Sequence, residues 1–249
     1  MGPFANIDII PNEALHINAS YHKILRTPTF TDLFYKSPTI EGNKDLKSER
    51  SSVFDIAARY RWRGVKAEVS AYYTHGKSMI DWVMYTADDV FHSTNFKLEN
   101  YGLNIACELY FNELFTSFPM SLAIAYCHIE QRRNDDIEIY KANYALEYLR
   151  NKVTALFTMR PISPLAFTVN YRYAERNGSY IIYENAKSTG ERHRYTPYSI
   201  VDFKANWSVS AKCNIFAEVN NLFDKHYYDF GNVPQPDFWS KIGLKYSFN

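Results

Sequence analysis

Asp88, Asp89 and His92 fall close together in the chain, a grouping of carboxylates and an imidazole of the kind that general acid-base hydrolysis uses. That chemistry needs the three within hydrogen-bond reach of one water, whereas exposed carboxylates are ordinarily just hydrated. The doublets Asp88-Asp89 and Asp135-Asp136 offer hard oxygens to Ca²⁺, but neither has the spaced ligands of a calcium loop. His16 and His22 share one face of an extended segment, yet six residues put them about 20 Å apart, too far for one ion. The remaining histidines, His75, His128, His193 and His226, are scattered. Cys107, Cys127 and Cys213 fit no CxxC or Cys/His metal pattern and read as small apolar side chains. The sequence therefore assigns no catalytic, cofactor-binding or metal site, implies no cofactor, and does not read as an enzyme.

The segments that carry these residues alternate with period two. Phe54, Ile56, Ala58, Tyr60 and Trp62 oppose Asp55, Arg59 and Arg61; after Arg63-Gly64, Val65, Ala67, Val69, Ala71 and Tyr73 oppose Lys66, Glu68, Ser70 and Tyr72. Such a pair is a hairpin of two strands with one apolar face. The pattern recurs about ten times, starting near Leu15 and ending on Ile242, Leu244, Tyr246 and Phe248. A helix would need period 3.6. Composition agrees, with 21 Tyr and 17 Phe but only 9 Gly, which favours strands over helices or linkers. A net charge of +1 and the lack of a basic run argue against nucleic acid as a partner.

The connections alternate as well. Those near 63–64, 111–119, 160–164 and 208–212 are short; those near 25–50, 75–95, 130–145, 175–196 and 221–236 are long and polar. Strict alternation is expected when every other connection lies on the same side of a membrane. Tyr60, Trp62, Tyr73, Tyr126, Tyr173, Trp207 and Phe248 sit near strand ends, where interfacial girdles of aromatics belong. No run of 18 apolar residues marks a membrane helix, which says nothing against a barrel that crosses with alternating strands. The start, MGPFANIDII, has none of the features of a secretory signal, so the sequence reads as a fragment.

Residues 26–49, RTPTFTDLFYKSPTIEGNKDLKSE, follow the strand HINASYHKIL, and VNNLFDKHYYD follows the next-to-last strand. Arg26, Pro28, Thr29, Asp32, Leu33, Tyr35, Gly42, Asn43, Leu46 and Glu49 in the first, and Asn221, Leu222, Phe223 and Asp224 in the second, resemble motifs of TonB-dependent outer-membrane receptors. Each also has a physical reading. Pro28 has no donor and stops its strand. Gly42-Asn43 is a turn dipeptide able to take positive φ. Asn220-Asn221 ends its strand, and Leu222-Phe223 is expected to pack where the chain leaves the wall. These are read as folding and rim motifs rather than ligand contacts.

The resemblance covers essentially the whole chain, residues 1–249. It implies an all-β, antiparallel transmembrane barrel segment, about ten C-terminal strands of a 22-strand barrel, entered at the tail of an eleventh at Ile7 to Ile10. The plug domain and its TonB-contacting box have no counterpart. It also implies TonB-energised uptake of an iron chelate, cobalamin or a similar scarce nutrient in the outer membrane of a Gram-negative bacterium. The cobalamin and siderophore branches fit the RTPTFTDLFY wording better than the glycan-importing branch. Implied partners are the TonB complex through the missing plug, outer-membrane lipid, the barrel-assembly machinery through the C-terminal strand, and a small chelate. The sequence admits two other readings: a self-contained ten-strand outer-membrane protein such as a protease with Asp88, Asp89 and His92 at its rim, and a soluble β-sandwich binding ligand through its aromatics.

Overall fold

The computed structural model describes residues 2–115, 119–134, 138–143, 147–184 and 187–248. Eleven strands form one antiparallel wall in sequence order: β1 (Phe4–Asn12), β2 (Leu15–Arg26), β3 (Glu49–Trp62), β4 (Val65–Met84), β5 (Phe91–Tyr110), β6 (Met120–Arg133), β7 (Leu149–Ile162), β8 (Leu165–Arg176), β9 (Tyr198–Ser210), β10 (Cys213–Asn220) and β11 (Trp239–Tyr246). The expected tail at Ile7 to Ile10 is thus a full strand, paired with β2 from Phe4↔His22 to Asn12↔Leu15. The count is eleven rather than ten. β1 and β11 are the two edges, and they do not pair with each other.

Cross-strand register keeps the two faces separate along the wall. Ile56 pairs with Ala19 and Ala71, Val69 with Ala58 and Ile105, and Ala217 with Ile242, all on the apolar face. This face is not covered: Ile56 is 54% exposed, Val69 47% and Ile242 82%. The polar face is laced by ion pairs between directly opposed residues, Arg59 with Glu68 at 2.9 Å, Lys66 with Glu108 at 3.2 Å, and Glu218 with both Lys204 and Lys241. Hollows of about 410 and 250 Å³ open on it. Glycine appears where a large neighbour lies flat across the strands: a Cβ on Gly102 would collide with the Tyr72 ring, and one on Gly243 with the Phe216 ring.

One expected loop is mostly sheet. Residues 75–95 contain the ends of β4 and β5, which run past their neighbours as a two-stranded ribbon turning at residues 85–90. Alternation continues there, with a bulge between Gly76 and Met79. Val83, Phe96 and Leu98 form a buried cluster with Ala142, and Met79 and Ile139 pack against it. Two neighbouring loops are stitched to the ribbon, Ile40–Glu41 running parallel to Phe91–His92 and Lys141–Ala142 antiparallel to Val83–Met84. Alternation of the connections therefore holds as height above the wall rather than as loop length. The other long connections carry a one-turn helix, Phe30–Phe34, and a separate hairpin, Ser179–Glu184 with Lys187–Arg194. The buried apolar residues lie in this loop layer and at the strand ends beneath it, so the wall itself has no core of the soluble kind.

Candidate ligand-capture rim

The first sequence motif folds into a knot at the top of β2 and β3. Arg26 donates twice to Glu49, 2.7 Å from Nε and 2.7 Å from a terminal nitrogen, in the fork geometry that makes this pairing strong. Glu49 also accepts from the Ile80 amide at 2.7 Å, tying the ribbon to the knot. Thr29 and Asp32 form a reciprocal capping box on the short helix, and the Asp32 carbonyl receives the Asn43 amide and the Ser93 hydroxyl. Gly42 is needed for closeness, because an added Cβ would lie 2.9 Å from the Leu33 carbonyl carbon and 3.0 Å from the Phe34 nitrogen. Neither Gly42 nor Asn43 takes the expected positive φ.

The second motif closes the β10–β11 connection. Asn221 is 4% exposed with φ 51°; its side chain bonds the carbonyls of Lys225 and Pro236 and the Lys225 amide, while its own amide donates to Asp202. Leu222 and Phe223, expected to pack, are instead 42% and 73% exposed. Asn221 and Asp224 do the holding, since the Asp224 carboxylate takes the Phe238 amide at 2.8 Å.

The candidate acid-base group does not assemble. Asp89 accepts from His92 at 2.9 Å and from the amides of Tyr85 and Val90, which holds its carboxyl below the usual carboxylate range, with the histidine contributing most. Asp88 is exposed at the turn. Asp89 and His92 are a turn lock on the ribbon. His16 and His22 reach different carboxylates, Asp8 at 3.1 Å and Asp55 at 3.7 Å. Among the described residues no three metal-ligating side chains converge. Asp135 and Asp136 lie outside the described residues.

What the loops do bring together was not singled out from sequence. A cavity of about 480 Å³ is lined by Tyr140, Lys141, Glu147, Arg176, Arg192, Arg194 and Tyr195, drawn from two connections. Arg176 donates to the Asp229 carbonyl at 2.7 Å and stacks over Tyr195 and Phe230. Arg192 lies 3.9 Å above the Tyr140 ring and donates to that residue's carbonyl. Tyr195 is buried, donating to Glu147 at 3.0 Å and accepting from the Gly231 amide at 2.9 Å. Burial pushes its phenol up to about 12; the Gly231 donor opposes this and the Glu147 charge adds to it. Tyr180 and Tyr228 stack 5.4 Å apart beside it. Four cations against the carboxylates of Glu147 and of Asp229, the latter 3.8 Å from Arg176, with aromatic walls, suit a flat or bulky anion. The signal in sequence was the density of Arg and Tyr between residues 171 and 195, spread over segments whose convergence only the fold supplies.

A TonB-dependent receptor-like β-barrel model matches residues 3–222. The chain belongs to the TonB-dependent receptor family. It is 24% identical over 226 residues to the vitamin B12 transporter BtuB of Vibrio vulnificus (strain YJ016), covering 89% of this chain and 32% of that protein. Its fold is similar to that of the FrpB iron transporter from Neisseria meningitidis, with TM-score 0.72, 19% identity, 98% of this chain and 39% of that one. It is also similar to FpvA of Pseudomonas aeruginosa PAO1, a pyoverdine receptor solved bound to pyoverdine, with TM-score 0.71, 17% identity, 99% of this chain and 36% of that one. The chain thus spans about a third of the length of the curated relative. These relatives are receptors and transporters, and the all-β wall of this chain is a partial barrel.

Proposed function

We propose that this chain forms part of the wall and outer rim of a TonB-dependent receptor in the outer membrane of a Gram-negative bacterium, and that its rim cavity captures an anionic metal chelate. The observation that carries this reading is the convergence of Lys141, Arg176, Arg192 and Arg194 on one aromatic-lined cavity in the loop layer. Such a site suits a negatively charged iron chelate better than a neutral ligand. The exposed apolar face supports the membrane placement. From Phe54 to Trp62 it spans eight residues, about 27 Å along the strand and about 20 Å across a bilayer at a tilt of about 40°. Tyr21, Phe54, Tyr73 and Tyr101 form a continuous aromatic row at its upper border, with successive centroids 4.7, 6.4 and 4.9 Å apart. In this reading residues 1–249 are a C-terminal barrel portion. In the same reading β11 is the segment that addresses the barrel-assembly machinery. The chain by itself then has no catalytic role and carries out no energised transport.

Equilibrium binding of a panel of ferric siderophores of graded charge to the outer-membrane fraction tests the proposal. Replacing Arg176, Arg192 and Arg194 by Gln is expected to weaken the anionic members at least about tenfold, on the strength of charge-assisted hydrogen bonds. Unchanged affinity, or equal binding of neutral and anionic chelates, would overturn it. Cells that accumulate a chelate with this chain as the sole receptor polypeptide, and only when TonB is energised, would overturn the assignment of a partial role.

A further inference from the structure

We infer that the apolar face carries a binding site for the phosphate headgroup of a lipid, formed by Lys23, Arg50 and Lys77 just above the aromatic row. The inference rests on the membrane placement proposed above. Side-chain alternation puts all three on the same face as Tyr21, Phe54 and Tyr73. Lys23 lies two residues beyond Tyr21 on β2, Arg50 four residues beyond Phe54 on β3, and Lys77 four residues beyond Tyr73 on β4. At about 3.4 Å per residue these steps are about 7 to 14 Å along the strands, which is headgroup depth when the aromatics mark the border of the apolar layer. Arg50 and Lys77 are direct cross-strand partners, and Lys23 pairs with Ser52, one step along the same face.

Like charges placed directly opposite each other destabilise a sheet unless something neutralises them. Elsewhere on this wall several cations have carboxylates: Arg59, Lys66, Lys204 and Lys241 on the polar face, and Arg150, which reaches Glu130 at 2.9 Å. Lys23, Arg50 and Lys77 are exposed and form no ion pair among the described residues. The nearest carboxylate in the adjoining row, Glu99, is taken by His75 and Tyr101, each at 3.2 Å. The three cations line a shallow cavity of about 430 Å³ together with Pro3, Leu25 and Ser52. Positive heads over an apolar floor match a phosphorylated headgroup whose acyl chains run down the exposed wall below.

The test uses the full chain inserted into phosphatidylcholine vesicles doped with bisphosphorylated lipid A or with the same lipid dephosphorylated, and counts glycolipid retained per chain by native mass spectrometry. Preferential retention of the phosphorylated form is expected, with about a hundredfold weakening in K23Q/R50Q/K77Q and none in R150Q. Excess inorganic phosphate, lacking acyl chains, is expected not to displace the lipid; displacement would point to a free-anion site and overturn the proposal. Equal retention of both lipids, or by the triple variant, would also overturn it. If that variant fails to insert, the wild-type preference between the two lipids decides alone. Siderophore binding measured on the same samples reports separately on the rim cavity, so loss of that activity with lipid preference intact would leave the present inference standing.

Discussion

At the scale of residues, the family motifs are structural fastenings, and their energetics can be tested directly. Glu49 holds Arg26 through two bonds and the Ile80 amide through a third, so its removal leaves the guanidinium only Asp32, at 3.4 Å, and strands a backbone donor. Glu49→Ala is expected to cost about 1.5–3 kcal/mol, the range for hydrogen bonds to charged groups, read as a lower urea midpoint of the inserted protein. A loss below about 0.5 kcal/mol would show that the knot is ornamental. Tyr195 supplies a test of the rim cavity. Its folded pKa is raised above the unfolded value, so its contribution is complete below about pH 10 and is lost as pH rises through about 12. Absorbance titration of the phenolates is expected to show a late class that loses one member, near 12, in Tyr195→Phe while Tyr198, raised further by burial and Asp229, remains in it. The loop layer, followed by limited proteolysis, is expected to stay closed up to about pH 10 and to open above it. A Tyr195 phenol titrating at an ordinary value would refute the buried contact with Glu147.

At the scale of elements, the strands were legible because the alternation that encodes them is local. Phe54 to Trp62 and Val65 to Tyr73 read directly as a hairpin, and their observed register, Trp62↔Val65 to Phe54↔Tyr73, is the one their apolar faces demand. The ribbon at residues 75–95 was not legible. Gly76, Ser78 and the bulge interrupt the period, and Ser78 takes φ 55°, so the restored alternation beyond them looks like polar loop. Tertiary contacts decide that segment: Val83 and Phe96 bury against Ala142, which arrives from another loop. The rim cavity was hidden for the same reason. Arg176, Arg192 and Tyr195 are near in sequence, but Tyr140, Lys141 and Glu147 reach them only because β7 and β8 bring two loops to one side. By contrast Asp88, Asp89 and His92 were conspicuous through proximity in sequence, and proximity there makes a turn. Leu222 and Phe223 were conspicuous in the same way, yet they are exposed and the neighbouring Asn221 closes the connection.

At the scale of the whole molecule, the parity of the wall governs what it can join. Ten strands would leave edges running in opposite directions, able to meet in an antiparallel seam. Eleven antiparallel strands leave β1 and β11 running the same way. The sheet therefore cannot close on itself by antiparallel pairing, and neither can two copies related by an axis along the barrel, because that rotation keeps strand direction. A complement with an odd number of strands, its two ends both antiparallel to β1 and β11, satisfies both edges at once. Until it does, each edge exposes unpaired amides and carbonyls that lipid cannot satisfy. Hydrogen exchange on the chain in detergent is therefore expected to split by position. The amides of Val65 to Tyr73 on β4, paired on both sides, should be strongly protected, while alternate amides of Phe4–Asn12 and Trp239–Tyr246 should exchange quickly. Addition of a complementary set of strands should protect both edges together. Protection of both edges in a monomeric sample of the chain alone would mean a closed barrel with one parallel seam, and the argument from parity would fail.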